Sequence, residues 1–155
     1  MSTPNQDEVI LLMKVLRKDI PNGRLPHVSM GFTTTIGSVF LHSQHRNYHG
    51  KISVGYIVRK MLELAWYSCM KLTCGQPVKI VDVQGFYFRE RTTDVGNGLE
   101  LESTVCFTEG SLAVVVVTTS NRKFESSQCL KVCQSYVIFE SLSFDSLPQV
   151  EPKTL

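Results

Sequence analysis

Several things are scarce in this chain. It has one Trp and five cysteines, Cys69, Cys74, Cys106, Cys129 and Cys133, and no two of them form a C-x-x-C pair. An odd count without paired spacing argues against a disulfide scaffold or a zinc ribbon and favours a reducing compartment, with the thiols buried and unreactive. No apolar run approaches the roughly 18 residues a membrane span needs, so none is expected. Net charge is scarce too. Sixteen Lys and Arg against 14 Asp and Glu leave a formal +2, scattered along the chain. That gives no direct nucleic-acid signal, and any basic site must be local. The first twenty residues carry Asp7, Glu8 and Asp19 and make a poor mitochondrial presequence, which is normally Arg-rich and acid-poor.

What is present is enough for one substantial core in 155 residues. "DEVILLMKVLRKD" (7–19) has apolar residues at helical spacing and ends at Pro21-Asn22-Gly23, which predicts an amphipathic helix in an N-terminal extension over 1–25. "HVSMGFTTTIGSVFLHSQ" is rich in β-branched and aromatic residues and reads as extended, with a break near Gly37. The only long helix candidate covers about 52–71. Ile52, Tyr56, Ile57, Met61, Leu64, Ala65 and Cys69 recur at three- and four-residue steps, and Val58, Leu62 and Trp66 widen the stripe, so the helix should be buried on most of its circumference. Leu62 and Trp66 are expected under a sheet.

Four strand candidates follow: "VKIVDVQGFYFRE", "GLELESTVCFTE", "SLAVVVVTTSN" and "CLKVCQSYVIFESL". Glu109-Gly110-Ser111 is a hairpin signal and Asp94–Gly98 supplies another turn. The unalternating "VVVV" at 114–117 predicts a strand covered on both faces. One long helix followed by an antiparallel meander buries its apolar surface best when the sheet wraps around the helix. The expected class is therefore α+β with the hotdog architecture: a single hotdog domain over 26–143 and an irregular tail over 144–155.

The stretch "HRNYHGKISVGYIVRKMLELAW" (45–66) sharpens this. Its N-x-x-G-x-I-x-x-G followed by a helix resembles the acyl-CoA thioesterase signature of hotdog proteins, D-x-N-x-x-G-x-I-F-G-G. More narrowly, it is similar to the mitochondrial tandem-hotdog acyl-CoA thioesterases, in which a Gly-Gly pair precedes an R-K-x-x-E-L-A-W helix. The likeness continues through "VDVQGFYF", "VGNGLELESTVCFTEG" and "CQSYVIFE" and covers roughly 40–153. It implies hydrolysis of fatty acyl-CoA to acid and CoA with no metal or other cofactor, and a mitochondrial location. The chain also departs from the pattern. His45 stands where the motif has its acid, Val54 replaces the first Gly of the pair, Ser53 replaces the Phe before it, and Phe88–Thr92 lacks the family's proline. The relatives carry two hotdogs and this chain one.

Thioester hydrolysis needs a polarised carbonyl and an activated water or carboxylate. A helix N-terminus supplies the first through unpaired N–H groups and the positive end of its dipole. Gly50 and Gly55 would let backbone approach the thioester, or else serve a tight turn and close helix–sheet packing. Asn47 would bond the thioester or orient water, or else cap the helix region. His45 is a candidate general base or a surface residue. Glu63, about three turns beyond the bend, is the remaining candidate carboxylate, or else a buried Glu bonded to backbone. For the CoA phosphates the candidate cations are Lys51, Arg59, Lys60, Arg89 and Arg91, with Arg59-Lys60 matching the family motif. His42, His45 and His49 span a strand and a loop with no fourth ligand, so no metal site is expected.

Three readings follow. The first is an acyl-CoA thioesterase with a site altered at His45 and Val54. The second is an inactive hotdog serving as an acyl-CoA binder or as a structural subunit of a larger, mitochondrial assembly. The third, a hydratase, lacks that group's paired Asp and His. A lone hotdog leaves a sheet edge open, so the expected partner is another hotdog, as a homodimer or as a heterodimer with a related subunit.

Overall fold

The computed structural model describes residues 27–41, 52–88, 98–123, 128–143 and 145–151. The helix expected at 7–19 lies outside them, as does the turn expected at 94–98 except for Gly98, which begins the strand Gly98–Glu109. The chain order is β1 (His27–Ser29), α1 (Met30–Thr33), β2 (Thr35–Phe40), α2 (Val54–Leu72), β3 (Val78–Phe88), β4 (Gly98–Glu109), β5 (Leu112–Lys123), β6 (Gln128–Ser141) and β7 (Gln149–Glu151).

β2, β4, β5, β6 and β3 form one antiparallel sheet in that order. β4 and β5 are joined at Gly110-Ser111, with Glu109 opposite Leu112 and Gly110 at φ 57°. That left-handed value is why a glycine stands in this tight connection. α2 lies on the concave side, as the order of elements requires. Ile57, Met61, Ala65, Ser68, Cys69 and Leu72 are its buried face, and Leu101, Val105, Val115, Val117, Val137 and Phe139 meet it from the sheet.

Three local expectations need correction. The break in the first extended stretch falls at α1, not at Gly37, which stays in β2 opposite Leu101. The Ser29 hydroxyl caps α1 by accepting from the Gly31 N–H at 3.3 Å, a local bond that competes with continued pairing. "VVVV" alternates after all. Val115 and Val117 are fully buried while Val114 and Val116 are of intermediate burial, so one face of β5 is packed more tightly than the other. α2 itself is buried along one face only, and Trp66 remains 46% exposed.

The tail is not wholly irregular. β7 pairs in parallel with β1, His27 opposite Gln149, and the Thr108 hydroxyl donates to Pro148 O at 2.7 Å. The two ends of the described chain are thus fastened together beside β4.

Candidate functional site

Direction along α2 is fixed by three contacts with β2 and β4. Lys71 Nζ donates to Thr34 O at 3.2 Å, Ser68 bonds Ser103, and a Cβ on Gly37 would lie 3.5 Å from Leu64 Cδ1. Moving toward the start of α2 therefore means moving down β4 from Ser103 to Leu101 and Leu99, and along β5 from Val117 to Thr119 and Asn121, their register partners. The same contacts turn the Leu64–Lys71 flank of the helix toward the β2 edge. The opposite flank carries Val58, Leu62 and Trp66 at four-residue spacing and overlooks the β3 edge. There Ile80 and Val81 are about half exposed.

The start of α2 is open in the sense the chemistry needs. Ser53 is the N-cap residue, yet its side chain makes no capping bond. Tyr56 and Ile57 N–H reach back to Ser53 O at 3.1 and 3.4 Å, and the Val54 and Gly55 amides have no acceptor among the described residues. A Cβ on Gly55 would meet nothing closer than Ser53 Oγ at 3.6 Å, an ordinary contact. Close helix–sheet packing therefore does not demand a glycine there, which removes one of the two reasons the sequence offered for it. Val54 is exposed and does not fill the core.

Glu63 also departs from its bland alternative. It is not buried: its carboxylate is half exposed and lies 3.1 Å from Lys60 Nζ and 3.3 Å from Arg59 Nε. The hydrogen bond from Lys60, helped by the charges of both cations, holds its pKa below the ordinary 4.5. Glu63 is thus ionised at neutral pH, and its own neighbours are two of the cations proposed for phosphate. Arg59 is the more exposed of the two, and Lys60 also lies 5.7 Å from the centre of the Tyr56 ring. At 1.5 Å per residue, Glu63 stands about 12 Å along the axis from Gly55. One chain therefore does not bring the Gly55 amide and the Glu63 carboxylate to the same carbonyl.

His45, Asn47, Gly50, Lys51, Arg89 and Arg91 lie outside the described residues, as do His42 and His49. Among the described residues no group of three or more His, Cys, Asp or Glu is placed to hold a metal, and no helix is long and apolar enough to cross a membrane. Sequence reasoning passed over Thr119 and Asn121. Both are buried on the inner face of β5, and Thr119 Oγ1 and Asn121 Oδ1 have no hydrogen-bond partner there. Their only sequence signal is a polar residue at each alternate position that continues the Val115–Val117 row.

Comparison with known proteins fits this geometry. Over 113 residues, 73% of the chain, the sequence is 31% identical to the mitochondrial acyl-coenzyme A thioesterase 10 of Mus musculus and 31% identical to the mitochondrial acyl-coenzyme A thioesterase 9 of Homo sapiens. The chain spans a quarter of the length of each, 25%. Among solved structures, an acyl-CoA hydrolase from Staphylococcus aureus, in complex with butyryl coenzyme A, coenzyme A and coenzyme A disulfide, superposes with a TM-score of 0.76 at 21% identity, over 84% of this chain and 80% of that one. An apo-hexameric acyl-CoA thioesterase gives 0.78 at 22% identity, over 84% of this chain and 85% of that one. A hexameric hotdog fold thioesterase of Campylobacter jejuni gives 0.64 at 17% identity, over 73% and 87%. No protein-family model matches the chain. The chain has the hotdog fold and is related to the hotdog acyl-CoA thioesterases.

Proposed function

We propose that this hotdog relative of the acyl-CoA thioesterases hydrolyses acyl-CoA thioesters to free acid and CoA. The observation that carries the reading is the uncapped start of α2. Among the described residues, the adjacent amides of Val54 and Gly55 have no acceptor, and no neighbour crowds the place of a Cβ on Gly55. Such a terminus stabilises the negative charge that grows on a thioester oxygen during attack. Asn47, seven residues before the first of those amides, that of Val54, is proposed to orient the carbonyl or water. Glu63 is the proposed carboxylate, ionised and therefore able to act as a base or nucleophile. Of the two described cations, Arg59 is more available than Lys60 to a CoA phosphate, and Lys51, Arg89 and Arg91 are further candidates.

The axial separation of Gly55 and Glu63 supports a site shared by two hotdogs. The flank of α2 that carries Gly55, Leu62 and Trp66 overlooks the β3 edge, and an edge strand with half-exposed Ile80 and Val81 invites pairing. Pairing β3 with a second copy would set two α2 helices side by side in opposite directions, with the carboxylate of one nearer the helix start of the other. We propose a homodimer, or a heterodimer with a related hotdog, and a mitochondrial setting like that of the named relatives. An inactive acyl-CoA binder or assembly subunit remains the competing reading, because His45 and Val54 depart from the motif.

The test is release of free CoA thiol from acyl-CoA of several chain lengths, with Asn47→Ala and Glu63→Gln as controls. Turnover that either variant cuts at least tenfold supports the enzyme. Acyl-CoA binding by calorimetry without turnover supports the binder, and neither result leaves the assembly role.

A further inference from the structure

The interior of the sheet changes character at one end. Along β5 the inward residues run Ala113, Val115, Val117, Thr119, Asn121, all at 2% exposure or less. The first three are apolar and meet the second half of α2. The last two are polar, pair in register with the buried Leu101 and Leu99, and lie toward the start of α2. Placing the Asn121 amide oxygen and the Thr119 hydroxyl there without partners costs on the order of 1–3 kcal/mol each. A chain that needed only a core would carry apolar residues at these positions, as it does at Val115 and Val117.

Asn121 is the outer of the pair. Its register neighbours are Leu99, fully buried, and Leu130, 38% exposed, so it stands at the open end of the sheet. Thr119 is one pleat deeper, flanked by Leu101 and the buried Cys133, with the β5–β6 register shifting between Thr119 and Ser120. Alternate residues on a strand lie about 6.5–7 Å apart, close enough for one small polar group to bond both. Beyond Thr119 the interior is closed by Val117 and Val115.

We propose that Thr119 and Asn121 are specificity-determining residues that accept a short acyl group bearing its own hydroxyl or second carbonyl, entering beneath the first turns of α2. This rests on the acyl-CoA reading and narrows its substrate class. Asn121 Oδ1 accepts from the substrate hydroxyl, and the Thr119 hydroxyl donates to a substrate oxygen or accepts from it. A plain acyl chain in the same place leaves both groups unpaired and binds less well in the ground and transition states alike.

The experiment compares kcat/KM for 3-hydroxybutyryl-CoA, acetoacetyl-CoA and butyryl-CoA in the native protein and in Thr119→Val, Thr119→Ser and Asn121→Leu. The native protein should prefer the oxygenated substrates by roughly tenfold, the worth of about one well-made hydrogen bond. Thr119→Val and Asn121→Leu should erase that preference, lowering kcat/KM for the oxygenated substrates more than for butyryl-CoA, and Thr119→Ser should retain it. The ligand-free Thr119→Val protein should melt no lower than native, since a same-shaped apolar group replaces an unpaired polar one, so loss of preference is not loss of fold. Equal rates for the three substrates in the native protein, or a preference unchanged in Thr119→Val, would overturn the proposal and leave the pair as a site for bound water. If the native protein hydrolyses none of them, the thioesterase reading has failed. The proposal is then judged by calorimetry with the same three compounds: tighter binding of the oxygenated pair upholds it and equal binding refutes it.

Discussion

Ser68 of α2 and Ser103 of β4 are locked together in the interior. The Ser68 hydroxyl donates to Ser103 O at 3.2 Å, the two hydroxyls touch, and the Ser103 hydroxyl donates to Leu64 O at 3.0 Å. Both residues are fully buried, so these bonds set where the helix sits along the sheet, and through it where the start of α2 lies. Removing one hydroxyl strands its partners. Ser68→Ala and Ser103→Ala should each destabilise by about 1–3 kcal/mol. The double variant should lose clearly less than their sum, as a denaturant-unfolding cycle would show.

Met61 and Trp66 lie five residues apart on α2, yet one is fully buried and the other 46% exposed. Met61→Ala should cost about 2–5 kcal/mol of folding stability in any oligomeric state. Trp66→Ala should leave monomer stability nearly unchanged and weaken self-association, read by light scattering or sedimentation. An equal loss of folding stability for the two would mean that Trp66 packs within its own chain.

That contrast also shows what the sequence could and could not convey. The order of elements and the spacing of Ile57, Met61 and Ala65 were enough to predict a sheet around one helix, because burial of the long stripe has few solutions. Trp66 was misjudged because periodicity identifies an apolar flank without saying whether the cover is the chain's own sheet or a partner. Val114 and Val116 are likewise apolar on the less tightly packed face of β5, where burial is intermediate. The exposure of Glu63 was not legible, since its place on the wheel depends on which side of α2 meets β2. Asn47 and Gly55 were singled out only through the family motif, and Thr119 and Asn121 not at all, because a polar residue alternating along a strand usually marks a solvent face.

Glu63 makes a prediction about acid. Its folded pKa is lowered from 4.5, first by the Lys60 hydrogen bond. A depressed carboxylate contributes stability that is fully present above the unfolded pKa and is lost as pH falls through the folded one. Native protein should therefore lose slightly more melting temperature than Glu63→Gln between about pH 5 and pH 3. The difference should be small and shrink in high salt, because the group is half exposed. A larger acid loss in the variant would refute the ion pair.

The thiols should react in a fixed order. Cys74 and Cys129 are exposed, whereas Cys69 and Cys133 are buried and free, and burial pushes the Cys69 thiol up to about 12. Alkylation of the native protein at pH 8 followed by peptide mass spectrometry should mark Cys129 and Cys74 first. Cys69 and Cys133 should be marked only at the rate of unfolding, since the thiolate is the reactive form. Early labelling of Cys69 would show that α2 opens away from the sheet.

The start of α2 carries the last prediction. Its Val54 and Gly55 amides are the proposed donors to the carbonyl, but His45 stands where the family motif has an acid and Val54 where it has a glycine. Without the motif acid at position 45, general-base help, typically worth 10²–10⁴-fold, rests on Glu63 of a paired copy alone, so native turnover of plain fatty acyl-CoA should be slow. Val54 is exposed at the first turn, so Val54→Gly should fold and cost at most about 1 kcal/mol of helix propensity. It should also clear the approach of a thioester to the Val54 and Gly55 amides. His45→Asp combined with Val54→Gly should then raise kcat by at least tenfold over native in the CoA-release assay, with a pH profile that gains an acidic limb from the new carboxylate. A folded double variant with native rate and native profile would show that residue 45 does not address the reacting carbonyl, and would leave Glu63 of a paired copy as the group to pursue.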